Sequence, residues 1–435
     1  MIDFLNDIDA LPTTKELVNL EINRQKNTLN LIASESIQSA QIRYVMGLPL
    51  NKYSEGEPFN KYYQGCDVVS EMEDLARRLV KDFFPRAEYV NVQPHSGNDA
   101  NISVITKLLA PGDTILSPHL TFGGGHLSHG APVTVIGKFY NVVQYVCTDA
   151  GVYDYDRIRE LALEHRPKLL IGGASAYARI IDFGRLRAIA DEVGAILLAD
   201  VSHYFGLIVA GIYPDPTEHA HILTSTTHKT FLGPKGGIVV CMGGDFGPDG
   251  LTADIQRSVF PHFQGGPSIN NILAKAIAFE QAKTPAFKET MAQIVKNAQR
   301  LAKSLTGLGL RVMTGGTDTH QFLVDLRPVN RTGKNVARTL EKAAIVCNMN
   351  GIPGDPLPPM VTSGIRLGTT IVTQRGLGEA QMETLAALIA RVADATAEGR
   401  TKGKRPYIAD EAALTTVKKE VEALCHAYPI EGWDR

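Results

Sequence analysis

Between Tyr89 and Cys241 the chain alternates short apolar runs with stretches of helical periodicity, and few folds accommodate that alternation. The runs Tyr89-Val-Asn-Val, Thr114-Ile-Leu, Val133-Thr-Val-Ile, Val142-Val-Gln-Tyr-Val and Lys168-Leu-Leu-Ile-Gly read as strands. So do Ile196-Leu-Leu-Ala-Asp200 and the segments around Thr224 and Ile238, which are apolar almost without interruption. A strand with no polar face must be covered on both sides, and helices in the connections supply the cover. The class is therefore α/β, with a parallel or mixed sheet between helical layers. Helices are expected over about 98–109, 155–165 and 183–193, and over 67–84, where Val68, Val69, Met72, Leu75, Leu79 and Phe83 recur at helical spacing.

The texture changes after about residue 282. A long helix over about 286–307 leads into the strands Leu310-Arg-Val-Met, Gln321-Phe-Leu-Val-Asp-Leu and Ile365-Arg-Leu-Gly. Further helices are expected over about 333–343, 378–397 and 410–427, which together suggest a smaller α+β domain. The expected division is an N-terminal helical arm (1–50), a large domain (51–282) and a C-terminal domain (283–435). The run at 399–405 reads as a solvated loop. Residues 43–66 form a long irregular stretch rich in tyrosine, glycine and charge, and such loops are more often functional than idle.

Composition removes several classes of function. With 44 basic against 46 acidic residues the formal charge is -2, and no basic stripe invites nucleic acid. Cys66, Cys147, Cys241, Cys347 and Cys425 are dispersed without CxxC spacing, which argues against a disulfide framework or a zinc site. No apolar run reaches the roughly 18 residues needed to span a membrane. The N-terminus lacks a signal-peptide profile, so a cytoplasmic protein is expected.

Chemistry concentrates at strand ends. Ile222-Leu-Thr-Ser-Thr-Thr-His-Lys-Thr230 begins as a strand and breaks at Gly233-Pro-Lys-Gly-Gly, with Lys229 at the break and His228 beside it. Asp200 closes the preceding strand. A lysine amine and a carboxylate so placed suit pyridoxal 5'-phosphate: the amine anchors the aldehyde, and the carboxylate keeps the pyridine nitrogen protonated. Ser96-Gly97-Asn98-Asp99 follows a strand and opens a helix, where free N–H groups can bind a phosphate, although an ordinary helix cap explains it as well. Gly123-Gly-Gly-His126-Leu-Ser-His129 offers close backbone approach and an imidazole for stacking; no carboxylate or cysteine at ligand spacing supports a metal. Arg366, in an apolar strand, needs an anionic partner, either a substrate carboxylate or an internal Asp or Glu. Glu55, among Tyr53, Tyr62 and Tyr63, could act as a general acid or simply shape its loop.

In order, these segments closely resemble the serine hydroxymethyltransferase family of fold type I (aspartate-aminotransferase-like) pyridoxal-phosphate enzymes. The blocks that carry the resemblance are Asn51-Lys-Tyr-Ser-Glu-Gly, Asn91-Val-Gln-Pro-His-Ser-Gly, Gly124-Gly-His-Leu-Ser-His-Gly, Gly173-Ala-Ser-Ala-Tyr, Thr226-Thr-His-Lys-Thr, Gln264-Gly-Gly-Pro and Val361-Thr-Ser-Gly-Ile-Arg366. It implies a large domain with a mostly parallel seven-stranded sheet and a smaller C-terminal α+β domain. It implies Lys229, Glu55, Asp200, His228 and Tyr63 as catalytic residues. Lys229, Asp200, His203, His126, Ser175, Ser96, Gly97 and Asn98 would hold the cofactor, with Tyr53 and Gly266 joining from the other subunit of a homodimer or tetramer. Arg366, Ser34, Glu55 and Tyr63 would bind the amino acid. Tyr62, Leu127, Asn350 and Gly125 would line the site for tetrahydrofolate, the cosubstrate. No metal is implied.

The chain departs from the family pattern near the expected site. Ser36 replaces the usual Asn, and Asn98-Asp99 replaces Ser-Gln in the phosphate turn. Tyr204 and Phe205 replace small or aliphatic groups after His203, and Lys235 replaces an Arg. Hydroxymethyl transfer between serine and tetrahydrofolate is the leading reading. The departures raise a specialised relative, namely an α-methylserine hydroxymethyltransferase, a threonine aldolase or a transaldolase, if the new rings face the pocket. A noncatalytic cofactor-binding protein is the remaining alternative.

Overall fold

The structure is a computed structural model that describes residues 11–398 and 407–430. The run at 399–405 and the first ten residues lie outside the described residues. Seven strands build the central sheet: β1 (Tyr89–Asn91), β2 (Thr114–Pro118), β3 (Asn141–Tyr145), β4 (Leu169–Gly173), β5 (Ile196–Asp200), β6 (Ile222–Thr226) and β7 (Gly237–Cys241). Their spatial order is β1-β7-β6-β5-β4-β2-β3. The pairs from β3 to β6 are parallel, and β7 runs against both of its neighbours. The sheet is thus mostly parallel, as the apolar runs required.

Burial on both faces is visible along single strands. In β5, Leu197 and Ala199 enter one apolar cluster and Leu198 enters another on the opposite face. In β7, Ile238 and Val240 face the first cluster, and Val239 and Cys241 the second. Each fully buried Leu or Ile contributes about 1.5–3 kcal/mol, so a polar substitution on either face is costly.

One expectation fails locally, and one helix carries no signal in the sequence. Val133-Thr-Val-Ile is not a strand: Val135–Phe139 is a short helix. Thr134 Oγ1 caps it by accepting from Gly137 N at 3.2 Å, while the Thr134 hydroxyl and N–H both bond to Ala131 O. A β-branched run looks like a strand in sequence, but a capping threonine in its middle redirects the backbone. The helix Ile269–Ala282 is silent in the sequence for the opposite reason. It is buried nearly all round and so shows no amphipathic stripe.

A four-stranded antiparallel sheet follows, made of Arg311–Val312, Gln321–Asp325, Gly364–Gly368 and Asn348–Asn350 in that spatial order. Its apolar cluster includes Leu323's neighbours Phe322 and Val324 and also takes in Leu29 and Leu31, because Leu29–Asn30 pairs in parallel with Ile345–Val346. That pairing carries Ser34 toward the site. The helix Pro285–Gly307 belongs to two cores at once. Phe287, Met291, Ile294 and Val295 pack into the first, and Leu301, Ala302 and Leu305 into the second.

Candidate active site

Lys229 lies in the excursion between antiparallel strands β6 and β7. The loop is pinned at its base: Thr227 N donates to Gly236 O at 3.0 Å, and Thr227 Oγ1 donates to Pro234 O at 2.6 Å. Leu232 closes the turn in the left-handed region (φ 62°), strained for a branched residue, with its N–H on Lys229 O at 3.1 Å. Ser36 reaches in from the N-terminal segment and donates to His228 O at 2.6 Å.

The Lys229 side chain is buried and borders a cavity of about 180 Å³ at the carboxyl ends of β4, β5 and β6. Ligands bind at that end of such sheets. Ser96, Gly97, Asn98, His126, Ser175, Asp200, His203 and His228 line the same cavity. Burial pushes the Lys229 amine down to about 8 from 10.5, Asp200 pulls the other way, and Arg366 adds to the lowering. A lowered value means that the neutral, nucleophilic amine is available from lower pH than in an ordinary lysine. Capture of pyridoxal 5'-phosphate by the apo-protein should therefore speed up with pH and level off a little above about 8. A rate still climbing beyond pH about 10, where an ordinary lysine titrates, would contradict the burial.

Asp200 is held by four donors. Oδ1 accepts from Ser202 N at 3.1 Å and Ser202 Oγ at 2.6 Å. Oδ2 accepts from Asn101 Nδ2 at 2.7 Å and His129 Nε2 at 2.9 Å. Burial alone would raise the carboxyl, but the His129 hydrogen bond and the nearby Lys229 charge hold it far below the usual carboxylate range. His129 has both ring nitrogens engaged, since Nδ1 accepts from His126 N at 3.1 Å. Among the described residues no group of three or more His, Cys, Asp or Glu is placed to hold a metal ion.

The phosphate turn opens the helix Gly97–Leu108, and Ser96 caps it by accepting from Asp99 N at 3.1 Å. A Cβ at Gly97 would collide with the Thr226 methyl, so only glycine lets this backbone approach β6. Asp99 is half-buried and lines neither this cavity nor its neighbour, so its charge stands aside from the turn.

A second cavity of about 420 Å³ opens alongside and shares His126, Ser175, His203 and Lys229 with the first. Ser34, Gly125, Leu127, Asn350 and Arg366 line it. Arg366 is buried, yet no carboxylate among the described residues pairs with it. Nε donates to Asn348 Oδ1 at 3.0 Å and Nη1 to Ser175 O at 2.5 Å. The internal Asp or Glu that could have explained it is absent among the described residues, and its remaining N–H groups are available to an anion in the cavity.

A buried amine, an ionised carboxylate, an imidazole, a helix N-terminus and a glycine-permitted close approach in one cavity fit pyridoxal 5'-phosphate. The serine hydroxymethyltransferase family model matches residues 6–389. The serine hydroxymethyltransferase of Xanthomonas axonopodis pv. citri (strain 306) is 46% identical over 422 residues, 97% of this chain and 97% of that protein. That of Zymomonas mobilis subsp. mobilis (strain ATCC 31821 / ZM4 / CP4) is 46% identical over 423 residues, 97% and 96% respectively. The chain belongs to the serine hydroxymethyltransferase family.

Of the departures from the family pattern, Asn98 lines the cavity, whereas Tyr204, Phe205 and Lys235 turn away from it. Tyr204 is fully buried, stacks on Tyr213 at 4.8 Å and donates its hydroxyl to Tyr177 O at 3.0 Å. Phe205 packs among Phe84, Phe231 and Phe279. Neither ring lines the cavity, so the condition under which they would alter the amino-acid pocket is not met. They start a helix, Phe205–Val209, whose apolar side faces the core. Lys235 is exposed and borders a separate cavity with Ser34, Ser36 and His228.

Tyr53, Glu55, Tyr62, Tyr63 and Gly266 line neither cavity of their own chain. They form a second cluster. Tyr53 Oη donates to Glu55 Oε1 at 3.1 Å, its ring meets Tyr63 edge-on at 4.9 Å, and it lies over Gly266. The cluster is braced from below by a buried ion pair, Lys61 Nζ to Glu73 Oε2 at 2.5 Å. Gln93 Nε2 donates to Glu73 Oε1 at 2.7 Å, and Gln264 Nε2 to Gln93 O at 2.8 Å. Glu73→Gln leaves Lys61 buried without its counter-charge, and the chain should lose about 3–5 kcal/mol of stability in urea unfolding. A loss under about 1 kcal/mol would mean that the pair is not holding the loop.

The residues that sequence reasoning passed over are Asn101, Ser202 and His129 on Asp200, Asn348 on Arg366, and His320 behind His203. Asn101 stands one helical turn beyond Gly97, a spacing that could have drawn attention to it.

Proposed function

We propose that this chain transfers a hydroxymethyl group between serine and tetrahydrofolate, yielding glycine, with pyridoxal 5'-phosphate as its cofactor. Arg366 carries the reading, as a buried cation with no carboxylate partner among the described residues, on the wall of the cavity that Lys229 borders. A free amino acid brings the missing carboxylate. The cofactor, when bound, supplies the electron sink that accepts the pair released as the Cα–Cβ bond breaks.

The chain's own groups have defined tasks in this reading. Lys229 would anchor the cofactor through its buried amine. Asp200, kept ionised by Ser202, Asn101 and His129, holds a proton on the pyridine nitrogen. Ser96, Gly97 and Asn98 hold the phosphate at a helix N-terminus. Arg366 and Ser34 fix the substrate carboxylate, and this orients the bond to be broken. Gly125, Leu127 and Asn350 bound the space for the folate. Glu55 moves the proton at the substrate hydroxyl, with Tyr63 and Tyr62 beside it.

The active unit in this proposal is a homodimer. The Tyr53–Glu55–Tyr63 cluster lies outside the cavity of its own chain, which supports its serving a neighbouring one. The helix Pro12–Lys26 buries none of its residues, and Leu17 and Leu20 stand 63% and 58% exposed, which supports its packing on a second copy. No helix among the described residues is long and apolar enough to cross a membrane. The five free cysteines support a cytoplasmic setting. The domain division near residue 282 belongs to the same proposal.

The test is turnover of serine, α-methylserine and threonine by the purified protein, with and without tetrahydrofolate. Folate-dependent conversion of serine to glycine as the fastest reaction is expected. Preference for either other amino acid, or equal rates without folate, would defeat the reading.

A further inference from the structure

His203 and His320 lie stacked behind the Lys229 cavity, ring centres 5.4 Å apart and planes 20° from parallel. Both are buried, and of the two only His203 lines the cavity. His320 immediately precedes the strand Gln321–Asp325 of the second sheet. Its Nε2 lies 3.1 Å from the carbonyl oxygen of Ala33 and 3.3 Å from His203 Nδ1.

These two contacts fix where the protons are. A carbonyl oxygen only accepts, so the contact with Ala33 requires a proton on His320 Nε2. With that proton in place, His203 Nδ1 has to be the bare nitrogen, because a second proton would point at the first. The other nitrogen of His320 agrees. Nδ1 is buried with no partner among the described residues, and a proton there would be an N–H with no acceptor, the costlier arrangement. Burial, with Lys229 and Arg366 as neighbouring cations, keeps both rings neutral. The single proton of His203 is then on Nε2.

We propose that His320 is a positioning residue that sets the tautomer of His203, so that His203 presents an N–H donor, not a lone pair, to the bound cofactor. The consequence is chemical. A donor stabilises an anionic oxygen on the ligand, and a lone pair at the same place repels it. The carbonyl that starts the relay belongs to Ala33, the residue before Ser34. Gly368, which a Cβ would drive into Ala33, lets the second sheet seat that segment closely. The relay thus joins the N-terminal segment, the second sheet and the ligand cavity through two rings. This inference rests on the proposed cofactor only for its functional consequence, not for the tautomer itself.

The test uses the apo-protein carrying ¹⁵N-labelled histidine, with His203 resonances assigned by their loss in His203→Gln. Long-range ¹H–¹⁵N correlations read which ring nitrogen bears the proton. Wild type should show His203 as the Nε2–H form. His320→Gln, which keeps an N–H where His320 Nε2 was, should preserve it. His320→Phe should shift His203 toward the Nδ1–H form and weaken pyridoxal 5'-phosphate binding roughly ten- to a hundredfold, as loss of a hydrogen bond to a charged group does. An Nδ1–H form in wild type, or an unchanged tautomer in folded His320→Phe, would overturn the proposal. If His320→Phe does not fold, the wild-type spectrum and His320→Gln decide. If the wild-type protein binds no pyridoxal 5'-phosphate, the proposed function fails while the tautomer result stands on its own.

Discussion

Arg366→Leu should raise the KM for serine by roughly a hundred- to several-thousandfold and leave the cofactor bound. The guanidinium is buried, and its two protein partners, Asn348 Oδ1 and Ser175 O, are both neutral. Burial pushes it down to about 10, which still leaves it charged at neutral pH. A buried cation whose counter-ion is the ligand loses nearly the whole interaction when removed. Breaking such a pair costs about 3–5 kcal/mol, and each 1.4 kcal/mol is about tenfold. Arg366→Lys keeps the charge and loses the planar fork, so it should fall between the two. Steady-state kinetics with serine varied at saturating tetrahydrofolate gives the answer. An unchanged KM in Arg366→Leu would place the carboxylate elsewhere.

Lys229→Ala should abolish covalent attachment and reduce turnover at least about a thousandfold, because one amine both anchors the cofactor and exchanges with the substrate. Borohydride reduction followed by peptide mapping distinguishes the cases. Wild type should carry the cofactor on the peptide containing Lys229, and the variant should carry none. Lys275, also fully buried, cannot substitute. Lys275 Nζ donates to Val92 O at 2.6 Å, Pro94 O at 3.1 Å and Gly237 O at 2.9 Å, and it lines neither cavity. Three acceptors consume all three protons of an ammonium, so this group is spent on holding the backbone beneath the phosphate turn. Label found on any other lysine in the wild-type protein would remove Lys229 from its role.

The sheet was readable because β4, β5 and β7 are apolar on both faces, a pattern that a helix-covered sheet satisfies. Asp200 and Lys229 were readable because Asp200 ends β5 and Lys229 follows the end of β6, its neighbour in the sheet, by three residues. The supports were not readable. His129 reaches Asp200 across 71 positions, and His320 reaches Ala33 across 287. No local periodicity encodes such encounters. Side-chain direction was hidden too. Tyr204 and Phe205 adjoin His203 in the chain, yet helix geometry turns them into the aromatic core while His203 faces the cavity.

The helix Pro285–Gly307 has a consequence for how the molecule comes apart. One continuous rod supplies apolar wall to both cores, so neither core can melt without stripping one end of the other's wall. The two should therefore lose order together in a single calorimetric transition. Cutting the chain ahead of Thr284, where sequence texture marks a border, would not release an independent folding unit. It would detach Phe287, Met291, Ile294 and Val295 from the first core, and a border in composition is here a weld in cooperativity.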